Sequence, residues 1–305
     1  VSNRTGEPGA SESNFRTRLV SMFGSVSLGF KNWAFVEFTG RNDWDSRLPI
    51  NSNSYFYPGV NASFVLSDAI DALSKSKVLS YAKLKAAWNK AGNVNVGTYG
   101  LETNFGIAGG FPYGSIPGYT ANGQINNPAI RPELVESYEF GGEFSFLDNR
   151  FSVDAAYYYQ NNNDQVIGVQ ISQATGFTSA ILNAARFYNK GLEFDFRLTP
   201  LLKLGKFNWN VSANLTTNDS KVLEVYGDLN ELSIGNTSYV IKGYPAYTHK
   251  LFDWLRDDQG RVIVDAATGY PKQNPAQTIF GRTNPKTIVG VNTDHRLLES
   301  SGLDL

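Results

Sequence analysis

Apolar and polar side chains alternate one by one along much of the chain, and this period of two limits the fold more than any other feature. After Arg150, for example, Phe151, Val153 and Ala155 alternate with Ser152 and Asp154. Extended strands place successive side chains on opposite faces, so the pattern predicts strands with one apolar and one polar face. About nine segments show it, many of them near the nine to eleven residues that a tilted membrane strand requires. Other such segments begin near Val20, Ala34, Phe56, Ala82, Tyr138, Tyr188 and Phe207.

The links between these strands alternate between short and long. In an up-and-down antiparallel sheet, every second link lies at the same rim, so one rim should carry short turns and the other long loops. This arrangement is typical of outer-membrane barrels, and loops of this length are unusual in a compact soluble domain. The short links are Lys31-Asn32, Asp148 to Arg150 and Thr199 to Lys206, and the long ones run from Asp45 to Ser54, Gly92 to Pro132, Asn163 to Ala185 and Ser220 to Pro285. The link from Ser67 to Lys77 is of middling length but falls on the short side of the alternation.

Composition agrees with a barrel and excludes several other classes. The 305 residues carry a net charge of -1, which gives no electrostatic reason to expect nucleic acid as a partner. With no cysteine, the chain has neither disulfides nor cysteine-based zinc sites. It lacks the run of about 20 apolar residues that a membrane helix needs, and no signal peptide begins at Val1. Its mean hydropathy is only -0.29, but alternation keeps this value low in membrane barrels as well.

Aromatic side chains make up 13% of the chain and gather near the predicted strand ends. Trp33, Tyr57 and Trp209 are examples. Such rings form the interfacial girdles of membrane barrels, where an apolar body meets lipid and a polar edge meets water. A soluble β-sandwich with aromatic residues near the ends of its core is the alternative interpretation.

Several motifs, taken in order, resemble SusC/RagA-type TonB-dependent transporters of Bacteroidetes. The resemblance runs from about Phe23 to Asn292 and depends on the order and spacing of the motifs rather than on any one of them. They are Arg41-Asn42-Asp43-Trp44, Ser54-Tyr55-Phe56-Tyr57-Pro58, Leu79-Ser80-Tyr81-Ala82-Lys83-Leu84, Glu136-Ser137-Tyr138-Glu139-Phe140-Gly141 and Asn189-Lys190-Gly191-Leu192-Glu193.

This resemblance implies a location and a set of partners. Such transporters are 22-stranded barrels with an N-terminal plug in the outer membrane, where they contact the lipid bilayer. They act with a SusD-like surface lipoprotein, draw energy from TonB-ExbB-ExbD through the plug, and import glycans or sometimes peptides. No cofactor is implied.

The resemblance also predicts that the chain is a C-terminal-side piece of a longer barrel. Residues 1–292 correspond to part of the barrel, without the plug. The segment from Thr293 to Leu305 becomes charged and loses the alternation, and we expect it to be a non-homologous or truncated tail. The predicted fold is therefore an all-β, up-and-down antiparallel transmembrane β-barrel, present as an incomplete segment of about nine strands with long external loops.

We find no catalytic or metal-binding motif in the sequence. The charged residues on the polar faces are better interpreted as hydrated lumen charges paired across strands than as catalytic groups. Asp257-Asp258-Gln259-Gly260 lacks the spacing of an EF-hand and predicts a hairpin turn between Trp254 and Val262. The lumen charges are Glu139, Glu143, Asp154, Glu193, Asp195 and Arg197.

Aromatic residues within the long loops are the candidate solute contacts. Rings among Asn, Gln and Asp suit carbohydrate, because sugar faces stack on aromatic rings while hydroxyls form hydrogen bonds. Packing of the loops on one another or on a partner is the competing interpretation. The candidates are Phe111, Tyr113, Tyr119, Tyr244, Tyr247 and Trp254.

The sequence thus favours part of a nutrient transporter, importing a glycan or oligosaccharide, over an enzyme. A secreted soluble all-β adhesin or glycan-binding module is the alternative.

Overall fold

The computed structural model describes residues 12, 14–107, 118–205, 207–227, 229–235 and 237–297. This part of the chain is almost entirely β-strand. Its few helices are one-turn segments, α1 (Leu66–Ala69), α2 (Asp71–Ser74) and a 3-10 turn at Gln173–Thr175. None of them is long and apolar enough to cross a membrane. The strands are β1 (Leu19–Phe30), β2 (Ala34–Asp45), β3 (Ser54–Val65), β4 (Leu79–Asn93), β5 (Phe105–Ile107), β6 (Tyr119–Ala121), β7 (Gln124–Ile125), β8 (Glu133–Phe146), β9 (Phe151–Gln170), β10 (Ser179–Leu204), β11 (Phe207–Val225), β12 (Glu231–Ser233), β13 (Ser238–Ile241), β14 (Thr248–Trp254), β15 (Gln273–Arg282) and β16 (Thr287–Leu297).

Nine long strands pair antiparallel in the order β1-β2-β3-β4-β8-β9-β10-β11-β16, and the short β7 pairs parallel with β10 off this path. Each pairs with the next long strand along the chain, which is the predicted up-and-down topology. The sheet is open, because within the described residues β1 and β16 each pair with one long neighbour only. The prediction of an incomplete barrel segment of about nine strands is confirmed.

One rim of the sheet carries the short turns. At the β1–β2 turn, Lys31 and Asn32 have φ values of 46° and 62°. The β8–β9 turn uses three successive residues with positive φ, Leu147, Asp148 and Asn149. Both turns contain Asn or Asp, which tolerate the left-handed conformation better than most side chains. The α1–α2 segment links β3 to β4 at this same rim.

At the opposite rim, the long loops contain more strand than the sequence predicted. The link expected over Asn163 to Ala185 was wrong in extent, because β9 continues to Gln170 and β10 already begins at Ser179. The connection from β11 to β16 holds a separate four-stranded sheet in the order β12-β13-β14-β15. The long loops are therefore folded structures.

Two hydrophobic clusters hold these loops together. The first joins the ends of β9, β10 and β11 to the β12–β15 sheet, and the second joins the β2–β3 loop to the segments around β4 and β8. Both clusters of buried apolar side chains therefore lie at the long-loop rim. The first cluster comprises Val169, Ala180, Ala184, Ala185, Phe187, Val222, Val225, Leu232, Val240 and Ala246, and the second Leu48, Val94, Val96, Ile130 and Val166.

The predicted turn at Asp257-Asp258-Gln259-Gly260 is confirmed. The amide of Gly260 donates to the carbonyl of Asp257, and Arg256 pairs with Val262 across the turn. Nearer the C-terminus, β16 continues through Thr293 to Leu297, although this stretch was expected to lie in a tail. The predicted boundary after residue 292 stays a prediction.

Candidate functional site

One face of the nine-stranded sheet is apolar and uncovered. Strand pairing aligns Leu28, Val36, Ala62, Ala86, Phe140, Tyr157 and Leu192 in one row across seven strands. The Phe140 side chain is 59% exposed and Val291, on the last strand, is 73% exposed. A sandwich would bury this face beneath a second sheet, and within the described residues no sheet lies over it. The apolar face is thus available to an apolar surrounding such as lipid.

The opposite face carries charged side chains in cross-strand pairs. Lys85 on β4 forms ion pairs with Asp154 at 3.2 Å and with Glu143 at 3.6 Å. Lys83 approaches the same Glu143 at 3.5 Å. Each of these side chains is about one-third exposed, so each pair contributes only about 0–1 kcal/mol and leaves the groups hydrated. By register, Glu139, Glu193, Asp195 and Arg197 lie on this face too.

Two glycines on the polar face let long side chains cross a strand. Lys85 reaches Asp154 over Gly141, where an added Cβ would be 2.7 Å from its Cε. Tyr158 crosses Gly191, and its hydroxyl donates to the carbonyl of Thr217 on β11 at 3.5 Å. A Cβ on Gly191 would overlap both Tyr158 and that carbonyl. These crossings are not predictable from the sequence, because cross-strand partners become visible only once the register is known.

Near the long-loop rim, two aspartates at the end of β2 are buried and accept hydrogen bonds from arginines. Asp45 is 1% exposed and accepts from Arg47 at 2.6 Å. This hydrogen bond raises the pKa of Arg47 above its ordinary value. Arg47 also donates to the carbonyl of Val96 at 3.5 Å. Asp43, 3% exposed, accepts from Arg41 at 2.8 Å and from the hydroxyl of Tyr57.

The predicted solute-contacting aromatics have different surroundings. Tyr119 on β6 is 66% exposed, and Tyr244 and Trp254 are 44% and 48% exposed. Tyr247 instead packs edge-on against Phe187, with ring centroids 6.1 Å apart, and this burial raises its pKa.

The structure does not unite these candidates in one site. Tyr119 lies in the small β5–β6 sheet, whereas Trp254 ends β14 in the four-stranded sheet. Phe111 and Tyr113 lie outside the described residues. Solute contact by any of the six stays a prediction. Within the described part of the chain, no group of three or more His, Asp or Glu side chains could hold a metal ion.

Comparison with known proteins identifies a single family. The family model described as "TonB dependent receptor-like, beta-barrel" matches residues 2–295. TonB-dependent receptor P26 of Formosa agariphila is 28% identical over 244 residues, covering 76% of this chain and 24% of the relative. TonB-dependent receptor SusC of Bacteroides thetaiotaomicron is 24% identical over 268 residues, covering 81% of this chain and 26% of the relative.

Solved structures give the same fold. The RagAB peptide transporter structure superposes with a TM-score of 0.79 at 22% identity, covering 92% of this chain and 32% of the matched chain. The present chain therefore spans about a quarter of the length of these curated relatives and about a third of the matched solved chain.

Proposed function

Since the chain belongs to the TonB-dependent receptor-like β-barrel family and is a barrel segment of the SusC/RagA type, we propose that it forms part of the wall of an outer-membrane transporter that imports a nutrient, namely a glycan or oligosaccharide. The single observation that carries the proposal is the division of one open sheet into an exposed apolar face and a charged face. An apolar band on the outside and a polar lumen are what a water-filled path through a bilayer requires.

The charged face would line the solute path. Its ion pairs join β4 to β8 and β9, so the charges are held in place while their remaining lone pairs stay hydrated. A soluble adhesin would have no use for the large apolar side chains exposed on the other face, because patches of this kind promote aggregation in water.

The folded loops would receive the solute at the outer rim. Tyr119, Tyr244 and Trp254 present exposed rings there, as ligand-stacking residues do, and Phe111 and Tyr113 belong to the same loop as Tyr119. Tyr247 would support this surface from beneath through its contact with Phe187.

Two protein partners belong to the proposal. A SusD-like surface lipoprotein would cover the outer rim, where Phe252 and Tyr270 are 51% and 75% exposed. The TonB-ExbB-ExbD complex would supply energy through a plug region outside these residues. The kinship with SusC supports both partners.

The proposal can be tested in cells that carry or lack the full-length gene. We expect the protein in the outer-membrane fraction, and we expect its deletion to abolish TonB-dependent uptake of a labelled oligosaccharide. If the deletion instead abolished uptake of a labelled peptide, the proposed substrate would be a peptide and the proposed transport function would stand. Recovery of the protein in the aqueous fraction without detergent would contradict the membrane location.

A further inference from the structure

The apolar face ends in lysines on the side of the long loops. On β10, Lys190 lies two residues before Leu192 on the same face, toward the long loops. Lys190 pairs with Tyr159 on β9 and with Asp219 on β11. Below it, the apolar band extends down to Leu202. Leu192 and Leu202 are separated by ten residues on β10, and their partners on β11 are separated by eight. In a strand tilted by about 45°, this separation corresponds to a height of about 20–24 Å along the membrane normal. This is close to the roughly 25 Å height of a barrel's lipid-facing band. Lys190 therefore lies where headgroups would begin.

A second lysine lies beside the first. Lys221 on β11 pairs with Tyr188, two residues farther toward the loops on the same face. Lys190 and Lys221 are thus diagonal neighbours on adjacent strands, about 7–8 Å apart at their Cα atoms. The ammonium of Lys190 lies 5.5 Å from the ring centroid of Tyr188, which stacks on Tyr159 at 5.4 Å.

Neither lysine is neutralised within the described residues. The carboxylate opposite Lys190, Asp219, is engaged by Arg282 at 2.7 Å, and no other described carboxylate lies within 4.0 Å of either ammonium. Two adjacent ammonium groups repel each other, and an anion bound between them would offset this repulsion. Arg186, one step farther toward the loops, is held by Glu224 at 3.1 Å. Lys190 and Lys221 are thus the pair available to an external anion.

We propose that Lys190 and Lys221 bind a phosphate group of a phosphorylated lipid in the outer leaflet, with Tyr159 and Tyr188 against the lipid at the interface. The arrangement places an aromatic pair and two unneutralised cations side by side at the end of an apolar band on one outward face, as expected where the interface of a bilayer meets its headgroups. The inference rests on the membrane location under "Proposed function".

The test uses the full-length protein purified in detergent micelles, with bis-phosphorylated lipid A as the probe. A lysine near an anionic surface strengthens binding by about fivefold, so K190Q/K221Q should bind this lipid roughly 25-fold more weakly than the parent. The matched control is K75Q/K77Q, which removes the same charge at the short-turn rim and should bind like the parent. Binding is measured by the lipid-dependent rise in melting temperature and by the lipid retained after gel filtration.

Three results would overturn the inference. They are equal binding by K190Q/K221Q and the parent, equal binding of dephosphorylated lipid A, and a comparable stabilisation by inorganic phosphate alone, which would assign the site to a free anion. Membrane insertion of all variants is checked first. A protein that inserts but does not distinguish the lipids refutes this inference alone, whereas one that does not insert refutes the proposed function.

Discussion

Gly191 provides a sharp test of how the polar face is built. An added Cβ would overlap the carbonyl of Thr217 and lie 2.7 Å from the hydroxyl oxygen of Tyr158. The ring could move aside, but the carbonyl belongs to the neighbouring strand and cannot move without disturbing the β10–β11 ladder. Overpacking of this kind costs about 1–3 kcal/mol. We expect Gly191→Ala to destabilise the full-length protein by an amount near the upper end of that range, because one of the two contacts is backbone.

The chain offers a matched control on the adjacent strand. An added Cβ at Gly168 on β9 meets nothing within 4 Å, so Gly168→Ala should change the free energy of unfolding by less than about 0.5 kcal/mol. Adding Tyr158→Ser to Gly191→Ala should restore only part of the loss, since the clash with the carbonyl remains. The free energy of unfolding of all three variants is measured by urea unfolding in vesicles, monitored by tryptophan fluorescence. If Gly191→Ala were as stable as Gly168→Ala, the close approach of the Thr217 carbonyl and Tyr158 to Gly191 would be wrong.

Three further predictions concern the loops. Ile130→Ala, at a side chain only 1% exposed, should cost about 2–5 kcal/mol and speed proteolysis within residues 94–132, and unchanged cleavage would show that the second cluster is not packed. Trp254→Ala should lower solute uptake at unchanged stability, whereas Tyr247→Ala should lower the melting temperature; the reverse outcome would exchange their roles. Hydrogen bonds from the backbone amides of Thr268 and Ala267 lower the pKa of Asp265 below its ordinary value of 3.8. The ionised carboxylate should therefore stabilise the turn at pH values above 3.8, and this stabilisation should be lost as the pH falls through the lowered pKa. Amide exchange of residues 265–270, corrected for intrinsic rates, should rise only in that acid window, and Asp265→Ala should show fast exchange at neutral pH as well.

The sequence predicts the nine long strands because each separates an apolar from a polar environment. Phe151, Val153 and Ala155 face one side, and Ser152 and Asp154 face the other, as expected from their alternation. Turn positions such as Lys31-Asn32 are also predictable from the sequence, because residues such as Asn tolerate positive φ.

Beyond the apolar band, alternation no longer identifies the strands, as residues Asn161 to Asp164 show. These four polar residues have no period of two, yet they continue β9. Asn162 is 8% exposed and donates to the carbonyl of Phe187, while its neighbours lie on less buried surface. Where protein covers one face and water the other, a polar side chain can occupy either face if it finds a hydrogen bond, and sequence alone does not reveal that partner.

The same limit applies to the site residues. Ring type and loop position single out Tyr247 and Trp254 alike, but only the fold shows that the first packs on Phe187 and the second is exposed. Likewise, the ion pair of Asp45 with Arg47 is local, but the hydrogen bond from Arg47 to the carbonyl of Val96 joins residues 49 apart, which no local pattern encodes.

Spin labels along β8 test the division between the two faces most directly. This segment has no cysteine, so single cysteines can be placed at Glu139, Phe140, Glu143 and Phe144 in the full-length protein reconstituted in vesicles. The labels at Phe140 and Phe144 should be relaxed by oxygen, which concentrates in lipid, and those at Glu139 and Glu143 by a water-soluble nickel chelate. Equal accessibility at all four positions, or the opposite order, would contradict the assignment of the apolar face to lipid and the charged face to water.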